Sequence, residues 1–169
     1  DVLVNNAGVY FDHPPLNCTI EQWSDAWSKT IGVNLMGPAY LCHAAVNHMK
    51  QIGGGSIINI SSRGAYRGEP DAPAYGASKA GLNSLSQSLA LACAKDNIFV
   101  YGIAPGWIET DMAQPYLDGA RGEDIRKQSP LGRAAQPEEI ARIALFLASR
   151  ESSFMTGTIV DANGASYLR

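Results

Sequence analysis

The segment Ser56–Ile103, SIINISSRGAYRGEPDAPAYGASKAGLNSLSQSLALACAKDNIFVYGI, carries an apolar run at each end and a helical period between them. Gly53, Gly54 and Gly55 precede the first run, so Ser56–Ile60 reads as a buried strand opened by turn chemistry. From Tyr75 to Lys95 the residues Leu82, Leu85, Leu89 and Ala92 recur at steps of three and four, which predicts a helix. Ile98–Ile103 is the next strand. Two strands joined by a helix of this length imply a parallel pair, because the crossover returns the chain to the starting edge.

The pattern continues outward. Val2, Leu3 and Val4, closed by Asn5, Asn6 and Gly8, read as a fully buried strand with neighbours on both sides. Thr19, followed by Glu21 and Gln22, predicts the start of a helical stretch reaching about Lys50. Downstream of Ile103 comes a Pro-Gly loop and an irregular polar region through Arg133. Pro137 then opens a helix through IARIALFLAS, and Thr158–Val160 forms a last strand. Alternating strands and helices predict one α/β domain over residues 1–169, with a doubly wound parallel sheet whose ligands bind beyond the carboxyl ends of the strands.

Composition narrows the function. With 46% hydrophobic and 17% charged residues among 169, the chain has enough apolar material for one globular core. Thirteen basic and sixteen acidic residues leave a net charge of -3, so no nucleic-acid or anionic-membrane footprint is present. No run of 18 apolar residues occurs, and no membrane association is expected. Three widely spaced cysteines, an odd number, fit reduced thiols and a cytoplasmic location. His13, His43 and His48 lack metal-ligand spacing, and no metal is expected.

Chemistry concentrates between residues 60 and 81. Tyr75 and Lys79 are four apart and share a helix face; Ser62 ends the preceding strand, on the side where ligands bind. A nearby ammonium favours the phenolate and draws a tyrosine toward the working pH range. A serine hydroxyl beside the phenol can hold a carbonyl oxygen as charge develops on it. Taken alone, a tyrosine and a lysine at this spacing are an ordinary surface pair, and the neighbouring residues supply the information.

Those neighbours are NNAG at residues 5–8, Val33-Asn34 inside a helix, ISS before a loop, YGASK at 75–79, PGWIET at 105–110 and TGTIVD near the end. In this order, and over nearly the whole chain, they resemble the short-chain dehydrogenase/reductases in their single-domain form, similar to members that reduce 3-oxoacyl groups on a carrier protein. The resemblance implies an oxidoreductase moving a hydride between NAD or NADP and a small alcohol or ketone. Tyr75 would be its proton donor or acceptor, Lys79 would lower the Tyr75 pKa and hold the nicotinamide ribose, and Ser62, thirteen residues before Tyr75, would orient the substrate oxygen. Asn34 would hold a relay water through its backbone. Asn6, Ala7 and Gly8 would lie against the cofactor, with Pro105, Gly106, Ile108 and Thr110 at the nicotinamide carboxamide. Tyr66 and Trp107 are candidates for the substrate side.

The resemblance further implies a homo-oligomer, a dimer or tetramer, built on the two long helices. It begins at the family's fourth strand, so a glycine-rich turn and two to three strand and helix units, roughly 80 residues, are expected upstream of Asp1. The alternative is a non-catalytic fragment, or a half that pairs with another chain; an epimerase of the extended branch fits PGWIET and the short tail less well. Gln51 and Asp96 stand where carrier-dependent reductases place basic residues, which speaks against a carrier-bound substrate.

Overall fold

The computed structural model describes residues Asp1–Arg169. Four parallel strands, β1 (Val2–Asn5), β2 (Gly55–Ile60), β3 (Ile98–Pro105) and β4 (Ile159–Ala162), lie side by side in chain order. Val4 pairs with Ile58, Ile58 with Tyr101, and Gly102 with Ile159, so the carboxyl ends of all four open toward the same rim.

α1 (Ile20–Ile31) starts at Thr19, whose hydroxyl accepts the Gln22 N–H at 3.3 Å while the Gln22 side chain accepts the Thr19 N–H at 2.9 Å. The helix runs through a π turn, Gly32–Met36, into α2 (Gly37–Gln51) without a break. Gly54 then turns the chain at φ +126, where an added Cβ would lie 2.4 Å from the Asn97 carbonyl oxygen. Only glycine fits there.

α3 spans Pro73–Cys93, beginning two residues ahead of Tyr75 because a proline with fixed φ suits the first helical position. The polar region after β3 contains two short helices, α4 (Gln114–Leu117) and α5 (Gly122–Lys127). α6 (Pro137–Ala148) is capped by Glu139, whose carboxylate accepts the Gln136 N–H at 2.8 Å.

Strand alternation sends side chains to two separate cores. Ile57, Ile98 and Val100 pack with Cys42 and Met49 of α2 and with Ala90 and Cys93 of α3. On the opposite face Ile58, Tyr101 and Ile103 pack against Ile140 and Leu147 of α6.

β2 and β3 are buried as expected, but β1 is not. Val2 and Val4 remain 49% and 46% exposed. β1 pairs with β2 alone, and α6 lies over β2 and β3, so those two valines project from a face that no helix covers. Leu3, pointing the other way, joins the α2 core. No helix is long and apolar enough to cross a membrane.

Candidate active site

Two serines end β2, and the fold gives them different tasks. Ser61 is buried and donates to the Lys79 carbonyl at 3.3 Å, fixing α3 to the strand. Ser62 opens the short 3-10 turn Arg63–Ala65, accepts the Gly64 N–H at 3.0 Å and lines a cavity with Tyr75. Lys79 is buried one helical turn beyond Tyr75, with Nζ 5.7 Å from the centre of the phenol ring and donating to the Ile60 carbonyl at 2.8 Å.

The carboxyl end of β1 is bound to the same place by amides. Asn5 donates to Asn59 at 2.7 Å, bracing β1 against β2, and Asn59 donates to Ser86 of α3 at 2.8 Å. Asn34 is fully buried in the π turn. Its Oδ1 accepts the Val9 N–H at 2.8 Å, and its Nδ2 donates to the Val9 carbonyl at 2.9 Å and to Ser78 at 3.2 Å. A π turn shifts backbone carbonyls out of ordinary helical pairing, a distortion often found at functional sites. Asn6 and Ala7 are exposed beside it. A Cβ on Gly8 would sit 3.5 Å from Asn34 Oδ1 and 3.6 Å from Lys79 Nζ.

The cavity, about 150 Å³, is walled by Ser62, Tyr75 and Arg63 on one side and by Trp107, Met112 and Tyr116 on the other. Gly106, Ile108 and Thr110 also line it, while Pro105 closes β3 just behind. Tyr10 meets Tyr75 and Tyr116 edge to face, with centroids 5.0 and 5.6 Å apart.

Tyr66 is elsewhere. Its ring lies 4.0 Å from the Arg169 guanidinium and its carbonyl accepts the Tyr167 hydroxyl at 3.2 Å, because the 3-10 turn rotates it away from Ser62. The residues that sequence reasoning missed, Tyr10, Arg63, Glu69 and Tyr116, share no motif. The aromatic residue two positions after NNAG is the one available signal, for Tyr10.

The electrostatics depart from the expected lowering of Tyr75. Burial pushes its phenol above the usual tyrosine value; the Ser62 hydroxyl draws it down by hydrogen bonding, and the Glu69 charge pushes it up. The Lys79 ammonium is itself pushed down to about 8 by burial. Tyr75 is therefore a protonated phenol at neutral pH, suited to giving a proton to an oxygen held by Ser62.

Whether a dinucleotide fits is decided at Lys79 and Gly8. An ammonium has three donors, and one of these is committed, to Ile60. The others, beside an exposed turn that lacks a side chain at Gly8, suit a hydroxyl-rich group such as a ribose. Thr110 is exposed at the cavity margin, where a hydroxyl can meet an amide. The residues present fit a nicotinamide nucleoside at the rim of the sheet.

Comparison with known proteins finds relatives along nearly the whole chain. A 3-oxoacyl-[acyl-carrier-protein] reductase of Chlamydia pneumoniae is 43% identical over 168 residues, covering 99% of this chain and 66% of the relative. An acetoacetyl-CoA reductase of Rhizobium meliloti is 40% identical, over 99% of this chain and 68% of the relative. The chain thus spans about two thirds of the length of the curated relatives it matches. The crystal structure of a gluconate 5-dehydrogenase from Burkholderia cenocepacia, in complex with NADP and tartrate, superposes with a TM-score of 0.91 at 33% identity. It covers 99% of this chain and 66% of that one. A family sequence model described as enoyl-(acyl carrier protein) reductase matches residues 1–164. With that match along nearly its whole length and a parallel sheet that superposes on a dehydrogenase, the chain belongs to the short-chain dehydrogenase/reductase family.

Proposed function

We propose that the protein is an NAD- or NADP-dependent oxidoreductase acting on a small alcohol or ketone. The observation that supports this most is the meeting of Ser62 and Tyr75 on one cavity wall, with Lys79 and Asn34 held immediately beside them by buried hydrogen bonds. When bound, the nicotinamide supplies or accepts a hydride at the substrate carbon. Ser62 orients the substrate oxygen, and Tyr75 gives its proton to that oxygen in reduction and takes one back in oxidation. Lys79 holds the ribose and helps to return a proton to Tyr75, and Asn34 holds the β1 loop and the relay that feeds Lys79. Asn6, Ala7 and Gly8 lie along the cofactor, with Pro105, Gly106, Ile108 and Thr110 at its carboxamide end, and Trp107 faces the substrate.

The relatives are named for reducing an oxoacyl or acetoacetyl group or for dehydrogenating gluconate, and the Burkholderia structure holds NADP. These names support carbonyl and alcohol chemistry with a nicotinamide cofactor. We further read the protein as cytoplasmic and as a homo-oligomer. Tyr40 and Leu41 of α2 and Leu91 of α3 stand exposed on the helical layer, a surface suited to a second copy.

Two measurements test the reading. NADP or NAD should raise the thermal midpoint of the protein. Tyr75→Phe should lower turnover of a ketone by about 10²–10⁴-fold while leaving that cofactor shift intact. A Tyr75→Phe variant with undiminished turnover removes Tyr75 from its role, and absence of any shift with either dinucleotide removes the cofactor.

A further inference from the structure

Arg63 directly follows Ser62, and the 3-10 turn carries its side chain inward until it is 4% exposed. Nη2 donates to the Gln128 side chain at the end of α5, whereas Nη1 has neither a hydrogen-bond partner nor contact with solvent. The side chain lines the active-site cavity and also a second one, about 180 Å³, that shares Trp107 with the first. A buried cation with a donor left over is unfavourable unless something anionic meets it.

The protein's own carboxylates meet that need only in part: the Glu69 charge favours the Arg63 cation but gives it no hydrogen bond. Glu69, on the same wall, lies 3.4 Å from Arg67 Nε. Asp12 accepts the Tyr116 hydroxyl at 3.0 Å, and Asp71 faces Arg121 at 3.6 Å. Arg63 and Arg67 against Glu69 leave one positive charge over among the cavity's ionised groups. Burial and the neighbouring Arg67 charge, against the opposing pull of Glu69, bring Arg63 down to about 10, which still leaves it charged at neutral pH.

We propose that Arg63 recognises a carboxylate of the substrate, so that the preferred substrates are short oxo or hydroxy acids. Their carbonyl or hydroxyl lies at Ser62 and Tyr75, and their acid end lies toward Arg63. The placement of the carbonyl end rests on the oxidoreductase reading above; the recognition of the anion does not. A carboxylate gives the guanidinium a charge-assisted hydrogen bond that a neutral ester or amide of the same shape does not provide.

The test is a titration that follows tryptophan emission, Trp107 being in the cavity wall. Levulinate should bind about tenfold or more tightly than its methyl ester, the ratio expected for one charge-assisted hydrogen bond. Arg63→Gln should erase that preference, and Arg63→Lys should restore part of it. Equal binding of acid and ester, or binding of neither, overturns the proposal, as does a preference that survives Arg63→Gln. If Arg63→Gln does not fold, the wild-type ratio and Arg63→Lys decide the matter. Turnover of both compounds with equal KM sinks acid recognition and leaves the oxidoreductase reading standing. Arg63-dependent acid binding with no hydride transfer does the reverse.

Discussion

The two walls of the cavity are built differently. The β2 and α3 wall is held by long-range polar bonds between buried groups. Ser61 and Lys79 tie α3 to β2, Asn34 ties the β1 loop to α3, and His13 accepts the Ala74 N–H at 3.2 Å while facing the Phe11 carbonyl at 2.8 Å. The facing wall, residues 106–133, is made of a four-residue and a six-residue helix. Its inner surface is aromatic, Trp107 against Tyr116 at 5.8 Å, and the ion pair Lys127–Glu123 is exposed to water. Proton transfer requires donor and acceptor held to hydrogen-bond tolerance, whereas an apolar wall selects by shape and adjusts easily. On our reading the first wall carries the reacting groups, with Arg63 beside them for the acid end of the substrate, and the facing wall selects the rest of the substrate by shape.

The largest effect that could break this comparison is at Asn34. Asn34→Leu removes the partner of the Val9 N–H and carbonyl in a partly buried setting, and one partner of the buried Ser78 hydroxyl, which keeps its bond to the Tyr75 carbonyl. Stability should fall by about 3 kcal/mol in chemical denaturation, and a loss of only a few tenths would mean that the wall does not depend on its polar bonds.

Next comes Lys79, whose folded value of about 8 lies below the ordinary 10.5. Below pH 8 both folded and unfolded chains carry the charge, and the full burial penalty applies. As pH rises from 8 toward 10.5 the unfolded chain binds more protons than the folded one, so Lys79 increasingly favours folding. The stability difference between Lys79→Met and wild type should therefore shift by about 3 kcal/mol in favour of wild type across that window. A flat difference would show that the ammonium is not desolvated.

The smallest effect sharpens the contrast. Trp107→Leu, on the selecting wall, should change stability by about 1 kcal/mol or less, because its ring is only partly buried. Substrate preference should change through KM with kcat little affected. A large fall in kcat at constant KM would place Trp107 with the reacting groups instead.

Legibility in the sequence follows the same division. β2, α3 and β3 could be read from apolar runs and a helical period because their burial is set by local pattern. Ser62, Tyr75 and Lys79 are legible because they stand in a motif order that resembles a family, with strand end and helix start close together in the chain. Arg63 and Tyr66 show where this fails. Arginine is ordinarily an exposed residue, and Tyr66 is a candidate for the substrate side, but a single 3-10 turn after Ser62 carries Arg63 inward and sends Tyr66 to Arg169.

Sequence by itself determined the parallel α/β order and the Ser, Tyr and Lys spacing, because periodicity and helical geometry act over a few residues at a time. Tertiary structure alone decided that Tyr10, Trp107 and Tyr116 share a cavity with Tyr75, that the Tyr75 proton is held above its usual value, and that Arg63 is left with an unmatched donor. Those outcomes depend on dehydration and on charges brought together from distant parts of the chain, and both come into being only when the segments pack.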